Sequence, residues 1–485
     1  MKLSGCLIVS IAMLFVTLLS GCAADGADLE VITVSVKYKA SEVREPLAYS
    51  AFGLRGLGGN VMPYGGYVAP HNAVSDYLGN KMPPMIRQEV FDDIAEAGVN
   101  YMIGIHDNYI KGDTDGNAAK ILEMSGNAGI LTMLPVRDLL NVALTDQKLA
   151  PAVDWTETLE ELLEYPSFGG IYGKDEPSMA LFGQMADANE VFGLVQENMK
   201  GAADDLLLYW NMLPLQATSA QLTGSATAAI TYDEYVDGFL AAKPQFLMYD
   251  QYPFSGVEGT IHSTWFTNMS TVRKKADENN LAWWAFTQTG GLWNSNVSAP
   301  RIPTEGEFLW DLNTMLAYGA KGIAHFPLCY PSGYMKVRVQ NDALDFSNHS
   351  LIDPYGSKNP SWYYSKKAAV QVQAVDEYLM RAKNVGVIVN GASRAPIPSD
   401  DILGDGWREL KKVAGDPALI GCFDYQGKTA LYIVGDPYKD VSEITLEFTD
   451  RYGYDVIQRG ERVSVAATKL PLKLAAGEGA LVVLK

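Results

Sequence analysis

What most limits the folds open to this chain is an alternation. Eight short runs rich in β-branched, aromatic and glycine residues are separated by segments whose apolar residues recur at helical spacing. The strand-like runs are 47–53, 100–106, 130–136, 168–174, 206–211, 245–250, 281–287 and 322–327; helical segments include 90–97, 155–165, 181–199, 232–242, 263–278 and 308–318, with a last one at 362–382. Strand then helix, eight times over, predicts a (β/α)8 TIM barrel: parallel strands inside a ring of helices. The competitor is a doubly wound open sheet, which carries a glycine-rich phosphate turn after its first strand. GLRGLGGN after Phe52 lacks the GxGxxG spacing, and that loop, through PYGGYVAPHN, reads as a long rim element. Beyond residue 384 the pattern changes to short β-branched runs broken by glycine, proline and aspartate, such as ALIGCFDY, TALYIVGDP and GALVVLK. These predict a small all-β sandwich. The expected division is a leader at 1–21, a tether and N-terminal strand at 22–46, the barrel at 47–383 and the sandwich domain at 384–485.

Lys2 precedes an apolar run at 7–19, too short to span a bilayer and of the length of a signal-peptide core. The run closes on Leu18-Leu19-Ser20-Gly21-Cys22, which resembles the lipobox of bacterial lipoproteins, where the leader is cut before a cysteine that is then acylated. The resemblance implies that Cys22 carries lipid and makes the membrane a partner. Ala23 after it implies an outer-membrane destination, at the cell surface or the periplasmic face. An ordinary cleaved leader with a chance cysteine is the alternative. Cys6 lies in the leader, so Cys329 and Cys422 remain, in different expected domains; two buried free thiols are the simpler account. The net charge is -19, and such a surface repels phosphate backbones, so no nucleic-acid partner is expected. Neutral or weakly charged ligands stay open.

In a barrel, chemistry belongs at the C-terminal ends of the strands. The fourth run, FGGIYGKDEPS, ends there in adjacent carboxylates, Asp175 and Glu176, and Pro177 stops the strand while suiting the first turn of a helix. A residue before proline is biased to extended geometry, so Glu176 should share a face with Tyr172 and Lys174. The plainer reading is a solvated turn whose acids assist a helix start. His106 and Asp107 end the second run, Arg137 and Asp138 the third, and Trp210 and Asn211 the fifth. On the sixth, alternation puts Met248, Asp250 and Tyr252 on one face; on the seventh, Trp284, Phe286 and Gln288, with Trp293 beyond; His325 and Tyr330 lie near the end of the eighth. Carboxylates, amides and flat aromatics are what a sugar site needs: acid and base, hydroxyl partners, and platforms for pyranose faces. Each has a duller role. Trp210 and Trp293 serve equally as platform or core, Trp283 and Trp284 suit an apolar strand, and His106 and His325 suit satisfied barrel histidines.

An eight-stranded barrel whose fourth strand ends Asp175-Glu176-Pro177 resembles glycoside hydrolase clan A, where Asn-Glu-Pro carries the acid/base glutamate. YDQYP on the sixth run, the strings PTEGEFLWDLNTMLAYGAKGIAHF and LIDPYGSKNPSWYYSKKAA, and the closing LAAGEGALVVLK resemble barrel glycosidases with a C-terminal β-sandwich. The resemblance implies a hydrolase acting on oligo- or polysaccharide, with Glu176 as acid/base. It departs at the seventh run, where the clan places a nucleophilic glutamate and this chain has Gln288. Three accounts follow: another carboxylate serves, Asp250 first; the Asp175–Glu176 pair, which resembles that of β-hexosaminidases, orients an acetamido group of the substrate that itself attacks; or the barrel binds glycans without cutting them. The expected catalytic set is therefore Glu176, Asp175 and Asp250. The expected substrate-binding set is Tyr252, Gln288, Trp210, Asn211, Trp293, His325 and Asp107. No cofactor or metal is expected: the five histidines show no HxH or HExxH spacing, and DTDGN at 113–117 lacks the later positions of a calcium loop.

Overall fold

The computed structural model describes residues 30–32, 61–73, 76–77, 80–140, 149–291, 300–330 and 349–485. Eight parallel strands form the inner wall: β1 Tyr64–Tyr67, β2 Tyr101–Ile103, β3 Leu131–Leu134, β4 Phe168–Asp175, β5 Leu207–Asn211, β6 Leu247–Tyr249, β7 Trp283–Gln288 and β8 Gly322–Phe326. Each is followed by a helix: α1 Gln88–Glu96, α2 Asn117–Ala128, α3 Ala152–Leu162, α4 Phe182–Asn198, α5 Tyr232–Ala241, α6 Trp265–Glu278, α7 Glu305–Ala317 and α8 Pro360–Leu379. The strands pair in the order β5-β4-β3-β2-β1-β8-β7-β6. A parallel bridge between Met212 and Tyr249 closes the seam between β5 and β6. This is the expected (β/α)8 barrel.

The stretch expected as a rim loop turns out to supply β1, while residues 47–53 lie outside the described residues. Two glycines between aromatics read locally as a turn. In the barrel they answer to packing instead, since a Cβ on Gly65 would stand 2.3 Å from the Tyr101 ring. Large rings fill the interior, with Tyr67 5.8 Å from Phe286 and Tyr101 5.4 Å from Trp284.

After α8 comes one antiparallel sheet: β9 Lys383–Asn390, β10 Leu410–Gly415, β11 Ala418–Tyr425, β12 Lys428–Gly435, β13 Val441–Gln458, β14 Glu461–Ala475 and β15 Gly479–Leu484. The long β13–β14 ribbon bends at an irregularity between Glu447 and Tyr452. The bend folds the sheet over itself as a sandwich and encloses Ile420, Cys422, Leu431, Leu446, Phe448 and Leu472 in a core of its own. The short strand Glu30–Ile32 adds to the β14 edge, pairing with Ser464 to Ala466. Cys329 and Cys422 are buried free thiols.

The other face of the sheet, through Leu419, Phe423, Tyr432, Val434 and Leu481, packs into the same core as the barrel. Helix α7 lies between the two, and every residue from 306 to 317 is buried. Asn313 donates to the Gly477 carbonyl at 2.9 Å and accepts from the Tyr432 hydroxyl at 2.6 Å. Gly421 meets this helix so closely that a Cβ there would stand 2.1 Å from the Ala317 carbonyl oxygen. Gly421→Val should therefore destabilise the fold by about 1–3 kcal/mol through overpacking, read as a lower denaturant midpoint at unchanged slope.

Candidate active site

The site is built at the seam. Strand β4 carries a bulge between Tyr172 and Lys174, after which Lys174 is level with Trp210 and Asp175 with Asn211. The bulge reverses the expected alternation, so Asp175, not Glu176, follows Tyr172 on the inner face. Glu176 departs from extended geometry altogether. Its φ is +48, in the left-handed region that costs a bulky residue about 1–3 kcal/mol. Its amide donates to the Asn211 carbonyl at 2.9 Å. The next turn is held by Tyr235 of α5, whose hydroxyl donates to the Pro177 carbonyl at 2.9 Å and accepts from the Leu213 amide at 3.1 Å.

The consequence is that three carboxylates converge. Asn211 is 1% exposed, and its amide nitrogen donates one hydrogen to Asp175 Oδ1 at 2.9 Å and the other to Asp250 Oδ1 at 2.8 Å. Asp175 is also hydrogen-bonded by the Tyr67 hydroxyl, and its amide donates to the Tyr172 hydroxyl at 3.1 Å. Across the seam, the carboxyls of Glu176 and Asp250 face each other within interaction range, where a proton on one of them relieves the repulsion between the two.

Electrostatics agree. Burial, then the charges of Glu176 and Asp175, push Asp250 well up, against the Asn211 bond. Burial also raises Asp175, opposed by its bonds from Asn211 and Tyr67 and by Lys174. Glu176 is raised to about 7 by burial and by the Asp175 charge, opposed by its bond with Asp250 and by Lys174. Glu176 is exposed as a residue although protein crowds its carboxyl, the signature of a group on the wall of an open cleft. Such a cluster titrates as a unit, and one of its members holds a proton near neutral pH.

Around these acids lie aromatic rings, of which the sequence reading had singled out Tyr172 and Tyr252 but not Tyr67, Tyr209 or Phe326. Tyr67 and Tyr172 exchange a hydrogen bond at 3.2 Å, and Tyr172 stacks on Tyr209 at 5.8 Å. Tyr252 is half-buried and stacks on Phe326 at 5.4 Å. Phe326 in turn lies 5.9 Å from Tyr67, so the rings continue from β8 to β1. At the end of the eighth run the sequence reading named His325 and left out its neighbour Phe326.

Three candidates are corrected. Trp210, 1% exposed, donates its indole N–H to Asn189 of α4 at 2.9 Å and so packs between wall and helix ring. Strand parity sends it outward because Tyr209 and Asn211 point inward. His325 is fully buried, with Nε2 3.0 Å from the Ser365 hydroxyl of α8 and its ring against Tyr64 and Phe308. Burial lowers it to about 3, so it is a neutral core histidine. Gln288 is 1% exposed and binds backbone: Oε1 accepts from the Phe254 amide at 3.0 Å, and Nε2 donates to the carbonyls of Phe254 at 3.0 Å and Arg301 at 2.6 Å. Trp293 lies outside the described residues.

Asp107 sits after β2, where Oδ1 accepts from Asn117 at 2.9 Å and the buried Oδ2 has no partner among the described residues. Beside it His106 packs on His71 with ring centres 4.0 Å apart. His71 has its tautomer set by its neighbours: Nε2 must donate to the Tyr330 carbonyl at 3.0 Å, while Nδ1 accepts from the Ala73 amide at 3.2 Å. Burial first, then His106, lowers His71 to about 4. Among the described residues, no group of three or more His, Cys, Asp or Glu side chains is arranged to hold a metal ion.

The sequence matches no known family model and no curated protein sequence. Among solved structures it is similar to a GH42 β-galactosidase from G. stearothermophilus at 7% identity and TM-score 0.48, over 90% of this chain and 99% of that one. A β-galactosidase from Marinomonas ef1 matches at 10% identity and TM-score 0.43, over 66% of this chain and 62% of its own length. An α-galactosidase from Mortierella vinacea matches at 8% identity and TM-score 0.41, over 89% and 98%. At such values the likeness carries nothing about activity.

The shared proton has a thermodynamic signature. An acid whose folded pKa lies above its unfolded value leaves the folded state with the extra proton between the two, so stability falls as pH rises through that window. For Glu176 the window runs from 4.5 to about 7. Glu176→Gln should match the parent protein in denaturant at pH 4 and exceed it at pH 8, by on the order of 1 kcal/mol after discounting for the open cleft. A difference constant across that range would sink the shared-proton reading.

Proposed function

We propose that this chain is a glycoside hydrolase of extracellular or periplasmic oligo- or polysaccharide, with Glu176 as general acid. What carries the reading is the Glu176–Asp250 carboxyl pair at the C-terminal edge of a barrel. A proton held near neutral pH, beside Asp175 and under an open cleft, is what protonating a leaving glycosidic oxygen requires. Tyr252 and Phe326 supply stacking faces for a pyranose ring, and Asn211 Oδ1 and Asp107 Oδ2, which have no partner among the described residues, supply acceptors for hydroxyls. The barrel, from β1 to α8, is the catalytic unit, and the sheet from β9 onward is its supporting sandwich.

For Asp250, expected as the carboxylate that serves in place of a seventh-strand glutamate, we propose the part of proton partner to Glu176. Two-carboxylate hydrolysis needs the pair about 5–5.5 Å apart for retention or about 6.5–9.5 Å for inversion. We assign Asp250, whose carboxyl lies against that of Glu176, the part of holding and returning its proton. This contact favours the second reading, in which a 2-acetamido group on the substrate is the nucleophile. The alternative, a noncatalytic glycan-binding protein on a degenerate barrel, rests on Gln288, whose amide is committed to backbone; binding of glycans without cleavage of any would favour it.

Product release from a panel of oligosaccharides and aryl glycosides, with and without 2-acetamido groups, tests this. Glu176→Gln should lower turnover by about 10²–10⁴-fold with folding intact, and Asp250→Asn should lower it by at least about tenfold. Unchanged turnover in the first variant removes the assignment, and unchanged turnover in the second removes the proton-sharing role. Cleavage confined to acetamido sugars supports assistance by the substrate.

We propose Cys22 as the lipid attachment point and, from Ala23 after it, the bacterial outer membrane as the destination, at the cell surface or the periplasmic face. Cys22→Ala should leave the chain in the soluble fraction and without incorporated labelled palmitate; membrane retention of that variant would refute the anchor.

A further inference from the structure

We infer that Gln288 is a positioning residue: with Arg301 it straps down the segment that carries Asp250 and Tyr252, and the second domain holds the strap shut through Tyr438. The inference rests on the reading of Glu176 and Asp250 as the acid pair. Phe254 stands four residues beyond Asp250, and both its backbone groups are taken. Its amide donates to Gln288 Oε1 at 3.0 Å, and its carbonyl accepts from Gln288 Nε2 at 3.0 Å and from the Arg301 amide at 3.0 Å. Gln288 Nε2 also donates to the Arg301 carbonyl at 2.6 Å. One primary amide thus imitates a strand, giving and accepting at once, which a carboxylate cannot do.

Arg301 is fixed from the far side. Its guanidinium forks onto Glu307 of α7, with Nη1 2.7 Å from Oε2, and lies 5.7 Å over the Phe254 ring. Glu307 is fully buried and accepts from the Tyr438 hydroxyl at 2.7 Å. Tyr438 belongs to the turn between β12 and β13, in the sandwich. An unbroken set of hydrogen bonds therefore runs from the second domain to the backbone that aims Asp250 at Glu176. A glutamate at 288 would face two carbonyl oxygens with a buried charge and no hydrogen to offer. It would open the strap and create no nucleophile.

The full-length protein and its Gln288→Ala, Gln288→Glu, Tyr438→Phe and Gln288→Ala/Tyr438→Phe forms are compared by amide hydrogen exchange of the peptide containing Phe254, and by kcat and KM on a glycan the parent cleaves. The strap predicts exchange at this peptide faster by at least about tenfold in both Gln288 variants and in the same direction, more weakly, in Tyr438→Phe. It also predicts kcat reduced with KM changed less than about threefold, and a double variant less impaired than the product of the singles. Unchanged exchange at that peptide, independent effects in the double variant, or hydrolysis gained by Gln288→Glu would overturn it. If exchange responds as stated while the parent cleaves nothing, the strap stands and the hydrolase reading falls. If the parent cleaves glycan but Tyr438→Phe alters neither exchange nor kcat, the strap falls and the hydrolase reading stands.

Discussion

The site depends on the side-chain amide of Asn211. A primary amide has two hydrogens on one nitrogen, and here each goes to a different carboxylate on a different strand, Asp175 on β4 and Asp250 beyond β6. Unpaired buried carboxylates repel one another and lose hydration, so their approach needs a donor placed between them. Asn211 also accepts the Glu176 amide with its main-chain carbonyl. One residue thus sets the spacing of two acids and the backbone of the third. It does so where β5 and β6 meet through a single bridge, so the side chain joins what the ladder barely joins.

Much of the fold was legible. Seven of the eight expected strands and all the expected helices have counterparts, because a buried parallel strand and an amphipathic helix each leave a pattern within a short window. β1 escaped, since Tyr-Gly-Gly-Tyr carries no strand pattern and its glycines answer to Tyr101, a neighbour from another part of the chain. The sandwich domain was legible as a set of short strands. That one sheet forms both its layers was not, because the bend in β13 is an irregularity of pairing and leaves no mark in composition.

The candidate site was legible where it depended on position along a strand and obscure where it depended on direction. Asp175, Glu176, Asn211 and Asp250 were picked as strand ends and do converge. Trp210 and His325 were also strand ends, but alternation turns both toward the helix ring. The bulge in β4 and the left-handed φ of Glu176 together bring two consecutive side chains into one cluster, which regular alternation forbids. Gln288 shows a third limit: its place was right, yet its partners are backbone atoms, which no side-chain pattern reveals.

Helix α7 has a consequence for how anything enters the cleft. A helix that belongs to the barrel ring ordinarily shows water one face, but this one, past its first residue, shows it none, because the folded sheet covers the side the barrel leaves bare. Swinging the sheet away would strip that helix and break the Asn313 bonds in one step, so the two units behave as a single block with no hinge between them. Whatever opens the mouth must then move without the sandwich, which acts as a buttress for one wall of the barrel.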